Sequence, residues 1–163
     1  MLVATEATIT ALSVRGERSL RAGDFFVNFL TTALAEDELV TAIHFPPAKS
    51  MVGVYEKFAR TDGDFATVSV ALMLSVEGER CAKIRLALGS CGPTPIRVPE
   101  AEAQLLGSRL DKHAVHKAAN LLVQATEPMN DVRGSADYRR MLVPRLVQQA
   151  IDKAQSSEAA LSE

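Results

Sequence analysis

Two runs of strictly alternating apolar residues constrain the fold of this chain more than any other feature. Every second residue from Val68 to Val76 is a branched apolar residue, and the alternation resumes over residues 84–88. The turn sequence Glu77-Gly78-Glu79 separates the two runs. Because so short a turn connects antiparallel neighbours, the pattern predicts an antiparallel sheet with one buried face.

Two more strands are predicted upstream of this pair. In one, apolar residues alternate with smaller or polar ones from Leu39 until Pro46, where proline cannot donate to a ladder. In the other, Val52, Val54 and Phe58 share one face. We therefore expect a sheet of about four antiparallel strands.

A smaller unit is predicted before these strands. Residues 7–14 and 18–20 flank the turn sequence Arg15-Gly16-Glu17, a pattern typical of a β-hairpin. Asp24 precedes phenylalanines at helical spacing, which predicts a short helix capped by that residue.

The hydrophobic period changes after residue 98, and three helices are predicted. Pro99 suits the first position of the first helix, and Gly107 suits its end. Asp111 can cap the second helix. The third begins at Ser135 and is expected to kink or restart at Pro144. The order of elements predicts an α+β fold, in which the antiparallel sheet packs against a C-terminal three-helix bundle.

Composition excludes several classes of protein. The formal net charge of -2 and the lack of a basic run argue against a nucleic-acid-binding protein. No apolar stretch reaches the roughly 18 residues that a membrane span needs. The segment Met1 to Glu6 lacks the features of a signal peptide, so a cytoplasmic protein is expected. Cys81 and Cys91 have neither metal-ligand spacing nor a disulfide framework.

The sequence carries no self-sufficient catalytic motif, and no catalytic residue is predicted. GxGxxG, P-loop, GxSxG and HExxH patterns are all absent from it. His113 and His116 lie three residues apart on a predicted helix and could hold a metal ion. Because the sequence positions no third ligand, a solvated helix face is the preferred interpretation and no metal site is predicted.

Three polar segments are not explained by periodicity. They cover residues 36–40, 55–66 and 128–140. Each has a purely structural interpretation, because polar loops are commonly connections. The second could be only a hairpin connection and the third only a capped helix start.

Four segments, in order and at matching spacing, are similar to the flavin-carrying medium subunit of molybdenum hydroxylases of the carbon monoxide dehydrogenase and xanthine dehydrogenase type. No single segment is decisive, but four in order are specific. They are Gly23-Asp24-Phe25-Phe26 leading to Glu38-Leu39-Val40 and Phe45-Pro46, then Tyr55-Glu56-Lys57 through Gly63-Asp64-Phe65-Ala66, then Gly89-Ser90-Cys91-Gly92-Pro93-Thr94-Pro95-Ile96-Arg97, then Asp131-Val132-Arg133-Gly134-Ser135-Ala136-Asp137-Tyr138-Arg139-Arg140.

The resemblance implies part of a three-subunit oxidoreductase. In this family, a large subunit holds a molybdenum cofactor and oxidises the substrate, and a small iron–sulfur subunit carries two [2Fe–2S] clusters. The medium subunit holds FAD and passes electrons to an acceptor. The alternatives are a docking or scaffold domain that does not bind FAD on its own, and an unrelated α+β ligand-binding domain.

The resemblance also implies a division of the chain. Residues 1–48 are expected to be a remnant of the second FAD-binding subdomain, 49–155 the flavoprotein C-terminal domain, and 156–163 a disordered tail. The family's glycine-rich diphosphate loops precede all the matched segments. The N-terminal FAD-binding half is therefore an expected partner, and self-association is expected where its surface would otherwise be covered.

The family's flavin wall falls on two of the polar segments. By resemblance, Leu39 and Val40 pack against the isoalloxazine and Phe65 lies over its face. The alternative for Leu39 and Val40 is that they belong to the core of a strand. The alternative for Phe65 is that its ring folds onto its own sheet. The two cations of the loop would lie near the reduced ring, and Asp64 would orient one of them. The residues implied to line the flavin are Leu39, Val40, Lys57, Arg60, Asp64 and Phe65.

For the third polar segment, a structural role is expected. Asp131, Arg133 and Tyr138 are interpreted as a cap, a turn and an interface to the rest of the complex. Arginine at such a place commonly contacts carboxylates with two hydrogen bonds.

Overall fold

The computed structural model describes residues 1–48, 51–61 and 63–161, and within them the strands form three sheets. The strands are β1 (Thr8–Ser13), β2 (Gly16–Arg21), β3 (Phe26–Asn28), β4 (Thr31–Thr32), β5 (Leu39–His44), β6 (Val52–Phe58), β7 (Val68–Glu77), β8 (Arg80–Gly89) and β9 (Ile96–Arg97). The helices are α1 (Ala22–Phe25), α2 (Pro99–Leu105), α3 (Lys112–Gln124) and α4 (Ala136–Leu161).

The largest sheet is antiparallel with the order β6-β7-β8-β9. Its central pair confirms the alternation read from the sequence, since Val70 lies opposite Leu88 and Leu72 opposite Leu86. All four side chains are buried in one core with α2, α3 and α4. The predicted α+β class, with a four-stranded antiparallel sheet packed against helices, is therefore confirmed.

The membership of this sheet differs from the prediction. The strand that begins at Leu39 pairs with β1 in a separate three-stranded sheet of order β2-β1-β5. The fourth strand of the large sheet is instead β9, in which Ile96 lies opposite Leu88. A two-residue strand carries no periodic signal, and alternation in β5 is the same whichever sheet it joins.

The N-terminal hairpin is confirmed, and a short helix follows it, but Asp24 does not cap that helix as predicted. Ser13 lies opposite Gly16 at the turn between β1 and β2. Helix α1 has only four residues, and Asp24 lies inside it rather than at its cap. The chain becomes extended at Phe26 because residues 26–28 pair with β4.

The helix ends follow the sequence signals closely. Pro99 opens α2, and Gly107 beyond its end has a left-handed φ of 73°. The Asp111 carboxylate accepts a hydrogen bond from Ala114 N–H at 2.9 Å and caps α3. Ser135 Oγ accepts from the amide of Tyr138 at 3.2 Å at the start of α4.

Helix α4 runs further than expected. It continues through Pro144 without restarting and extends to Leu161. Residues 156–161 are therefore helical where the sequence predicts a disordered tail, and residues 162–163 lie outside the described part of the chain. Ala154 is fully buried, although the predicted apolar stripe of this helix ends at Ile151. Tertiary packing therefore stabilises the helix beyond that stripe.

An ion-pair network joins the N-terminal segment to the large sheet. Glu6 pairs with Arg85 at 2.9 Å and with Arg97 at 2.8 Å. Arg97 also pairs with the buried Glu102 of α2 at 2.7 Å. Glu102 in turn accepts a hydrogen bond from Leu86 N–H at 2.9 Å. These ion pairs hold the first residues of the chain against the large sheet.

Length and polarity rule out a membrane crossing by any helix in the described ranges.

Candidate functional site

The loop that joins β6 to β7 presents an aromatic ring to solvent. At its base, Thr67 N–H donates to the carbonyl of Phe58 at 2.7 Å. Further out along the loop, the Asp64 carboxylate accepts a hydrogen bond from Phe65 N–H at 2.7 Å. The Phe65 side chain is 79% exposed, so it does not fold onto its own sheet. The loop is closed by backbone bonds while its ring remains available.

Three of the six residues predicted for the flavin wall are brought together here. Lys57 Nζ donates to the backbone carbonyl of Asp64 at 3.0 Å. The Asp64 carboxylate faces a different cation, since its Oδ1 lies 3.6 Å from Arg133 Nε. Arg60 is exposed near the start of the loop. Asp64 is thus oriented toward Arg133, a residue for which the sequence predicted only a structural role.

Arg133 contacts the exposed ring directly. Its guanidinium carbon lies 5.2 Å from the centroid of Phe65, within the range of a cation–π contact. Its Nη1 lies 3.7 Å from Asp131 Oδ2. Sequence spacing could not find this contact, because no periodic pattern relates a β-hairpin loop to a turn before a distant helix.

Asp131 connects the same turn to a buried arginine. Its Oδ1 accepts from Arg139 Nη2 at 2.5 Å and from the backbone N–H of Arg133 at 2.8 Å. The hydrogen bond from the Arg133 backbone N–H lowers the pKa of Asp131 most, and the hydrogen bond and charge of Arg139 lower it further. Arg139 also donates to the carbonyls of Thr67 and Ser90. The end of the hairpin loop is therefore tied to the segment before α4.

A cavity of about 230 Å³ lies beside the Phe65 ring. It combines apolar side chains from three separate segments with two guanidinium groups. Its lining residues are Phe29, Phe65, Ala66, Ser90, Gly92, Met129, Asp131, Arg133 and Arg139. Such a mixture of aromatic surface and few charged groups is typical of a ligand site.

Leu39 and Val40 lie on the other sheet, at the start of β5. Their side chains are 74% and 43% exposed, so they are not plain strand core. They are not among the described residues that line the cavity, to which the N-terminal segment contributes Phe29. They form an exposed apolar pair on the edge strand.

The turn before Leu39 is held by a buried carboxylate. Glu38 accepts from Arg18 Nε at 2.6 Å and from Ala35 N–H at 2.7 Å. The bond from Arg18, with a smaller effect of the Ala35 amide, lowers the pKa of Glu38 to about 2. The acidic residues 36–38 therefore form a fixed turn that positions the start of β5.

No group of three His, Cys, Asp or Glu side chains that could hold a metal ion occurs in residues 1–48, 51–61 and 63–161. His113 and His116 both lie on α3. His44 Nε2 is 3.1 Å from the hydroxyl of Thr10.

Two family descriptions match consecutive parts of the chain. Residues 53–154 match the CO dehydrogenase flavoprotein C-terminal domain. Residues 1–48 match the FAD-binding domain in molybdopterin dehydrogenase.

Curated relatives are about a third identical to this chain over the aligned residues. The glyceraldehyde dehydrogenase medium chain of Sulfolobus acidocaldarius is 37% identical over 92% of this chain and 53% of its own length. The nicotine 6-hydroxylase medium subunit of Paenarthrobacter nicotinovorans is 35% identical, over 94% of this chain and 54% of its own length. The chain thus spans about half the length of these relatives.

A solved structure has the same fold. Carbon monoxide dehydrogenase from Hydrogenophaga pseudoflava superposes with a TM-score of 0.90 at 35% identity, over 95% of this chain and 54% of that chain. The match over residues 53–154, together with these relatives, shows that the chain belongs to the medium, FAD-binding subunits of the carbon monoxide dehydrogenase and xanthine dehydrogenase family.

Proposed function

We propose that this chain is part of the FAD-carrying electron-transfer subunit of a molybdenum-dependent hydroxylase or dehydrogenase complex. In that complex, electrons would pass from iron–sulfur clusters through FAD to an acceptor. The observation that carries the proposal is the presentation of Phe65. Its ring is 79% exposed, yet the loop beneath it is bound by Lys57 and faces Arg133.

The surroundings of Phe65 fit the ring of a flavin. An isoalloxazine has broad apolar faces and a polar edge, so its site needs exposed apolar side chains beside hydrogen-bond donors. Phe65 and Phe29 are 79% and 54% exposed and line one cavity with the guanidinium of Arg133. The FAD diphosphate would be held by the N-terminal half of the FAD-binding domain, outside residues 1–163.

Each predicted residue has a defined task in this arrangement. Bound FAD supplies the electron-transfer chemistry, and the protein supplies binding and electrostatics. Phe65 would cover the ring, and the exposed pair Leu39 and Val40 would exclude water from it. Lys57 and Arg60 would place positive charge near the reduced ring, with the Lys57 ammonium held at the carbonyl of Asp64.

The proposed partners are the large molybdenum-cofactor subunit and the small iron–sulfur subunit. The exposed apolar side chains support such docking. Leu30 is 91% exposed, Val132 81% and Met141 66%. The same surface favours the second candidate function, a docking or scaffold domain that does not bind FAD on its own.

Titration of the purified chain with FAD separates the two functions. Flavin fluorescence and the visible spectrum are followed for the wild type, for Phe65→Ala and for the control Phe45→Ala. Phe45 is 58% exposed and is not among the described residues that line the cavity. We expect saturable quenching that Phe65→Ala abolishes and Phe45→Ala retains.

A different result would favour docking. Unchanged fluorescence up to FAD concentrations on the order of tens of micromolar would show that this polypeptide does not hold the flavin by itself. Equal loss of quenching in both variants would show that Phe65 has no special role.

A further inference from the structure

We propose that Arg133 is a positioning residue that latches the described part of the β6–β7 loop, residues 59–61 and 63–67, to the turn before α4. The latch would determine where the Phe65 ring is presented. Its role in flavin contact rests on the function proposed above, whereas the latch itself is a property of this chain.

Arg133 contacts two consecutive residues of the loop, Asp64 and Phe65, which form its arm. The guanidinium lies 5.2 Å from the ring centroid of Phe65. Its Nε lies 3.6 Å from the carboxylate of Asp64, the residue that accepts the Phe65 amide. One side chain therefore opposes movement of the ring and of the backbone that carries it.

The turn that carries Arg133 is itself held by hydrogen bonds. Its backbone N–H donates to Asp131 Oδ1, which also accepts from the buried Arg139. Arg139 donates in turn to the carbonyl of Thr67, where the loop ends. Gly134 packs closely there, since a Cβ would lie 3.0 Å from Tyr138 Cδ1 and 3.4 Å from Thr67 Cγ2. The loop's base is thus fixed independently of its arm.

Arg133 holds the arm by interactions of a different kind from those that hold the base of the loop. Among the described residues, the buried Nε of Arg133 has no hydrogen-bond partner. This Nε lies 3.6 Å from Asp64 Oδ1, and Nη1 of the same side chain lies 3.7 Å from Asp131 Oδ2. Charge attraction and the contact with the aromatic ring hold this guanidinium, whereas hydrogen bonds hold the base of the loop. Different contacts therefore hold the arm and the base of the loop.

Hydrogen exchange of the full chain tests the latch without any cofactor. The variants are Arg133→Ala and Arg133→Lys, with Arg140→Ala as the control. Arg140 is also an arginine near the start of α4, but it pairs with the exposed Asp137. We expect the amides of Asp64 and Phe65 to exchange about fivefold faster in Arg133→Ala. Arg133→Lys should show a smaller increase, because lysine keeps the charge without the planar group.

A second variant removes the partner instead of the arginine. Asp64→Asn keeps an oxygen that accepts the Phe65 amide but loses the charge that faces Arg133. We expect faster exchange here also, with little further increase in the double variant Asp64→Asn/Arg133→Ala. Exchange in Arg133→Ala and Asp64→Asn that equals the wild type would overturn the latch. Equal acceleration in the Arg140→Ala control would do the same.

The FAD titration distinguishes this inference from the proposed function. Faster exchange in the Arg133 variants together with weaker flavin quenching supports both. Faster exchange in a chain whose wild type does not quench flavin supports the latch and contradicts flavin contact by this polypeptide. Unchanged exchange with normal quenching overturns the latch and leaves the flavin contact standing.

Discussion

Arg139 in α4 donates a hydrogen bond to the backbone carbonyl of Thr67, although 72 positions separate the two residues. Its side chain is only 4% exposed and also donates to the carbonyl of Ser90 at 3.2 Å and to Asp131 at 2.5 Å. A single buried cation therefore joins the end of the β6–β7 loop, the turn after β8 and the segment before α4.

Removal of this cation should destabilise the chain strongly. Arg139→Met removes one donor from two backbone carbonyls and from the partly exposed Asp131 carboxylate. A buried acceptor left without its donor costs about 1 to 3 kcal/mol. Urea denaturation followed by circular dichroism measures the change. Arg140→Met, at the neighbouring and more exposed position, should change the free energy of unfolding by less than about 0.5 kcal/mol. Similar losses in both variants would contradict the role given to Arg139.

Stability should fall in acid through Glu38. Its pKa in the folded chain is lowered to about 2, mainly by Arg18, so the carboxylate stabilises the fold above its ordinary pKa. This contribution is lost as the pH falls through that value toward about 2. The difference in unfolding free energy between the wild type and Glu38→Gln should therefore shrink from about pH 6 to about pH 2.

Denaturant titrations at several pH values measure that difference. The control is Asp37→Asn in the same turn, where Asp37 pairs with Arg15 at 2.5 Å but both side chains are well exposed. An exposed pair contributes little, so the control should follow the wild type closely. A difference for Glu38→Gln that stays constant across this pH range would refute the assignment.

Cys91 should resist alkylation in the folded chain. It is 1% exposed, and burial raises the pKa of its thiol to about 11, with a smaller opposing effect of Arg139. Iodoacetamide should label it about a hundredfold more slowly in buffer than in urea. Peptide mass spectrometry resolves it from Cys81. In the variant Ser19→Cys, the introduced thiol lies on an exposed strand and should react rapidly in both conditions.

Exposed apolar residues on β5 should cause the isolated chain to associate. Leu39 is 74% exposed, and β5 lies at the edge of the sheet that the described residues form. Residues 39–45 carry no Asp, Glu, Lys or Arg, and charge on an edge strand is a common protection against pairing. Sedimentation velocity should show association that rises with concentration. Thr41→Lys should reduce it, whereas Val14→Lys at the exposed hairpin turn should not.

A single sedimenting species across the concentration range would contradict this prediction. An equal effect of both lysines would indicate that net charge, rather than the edge of β5, governs association.

The amino-acid sequence by itself determined the local elements. Period-two alternation located β7 and β8, and capping chemistry located the starts of α2 and α3 at Pro99 and Lys112. These signals are local, because they depend only on neighbours within one turn or one strand. The order of four short segments was likewise enough to indicate the family that the matches over residues 1–48 and 53–154 show.

Tertiary structure alone decided which distant parts meet. It placed β5 beside β1, added β9 to the large sheet and held α4 in helix to Leu161. It also brought Arg133 to the Phe65 ring, and it left Leu39 on an edge with its side chain largely exposed. Such choices depend on the packing of surfaces far apart in the chain. A hydrophobic period shows that a face will be buried, but it does not specify against what.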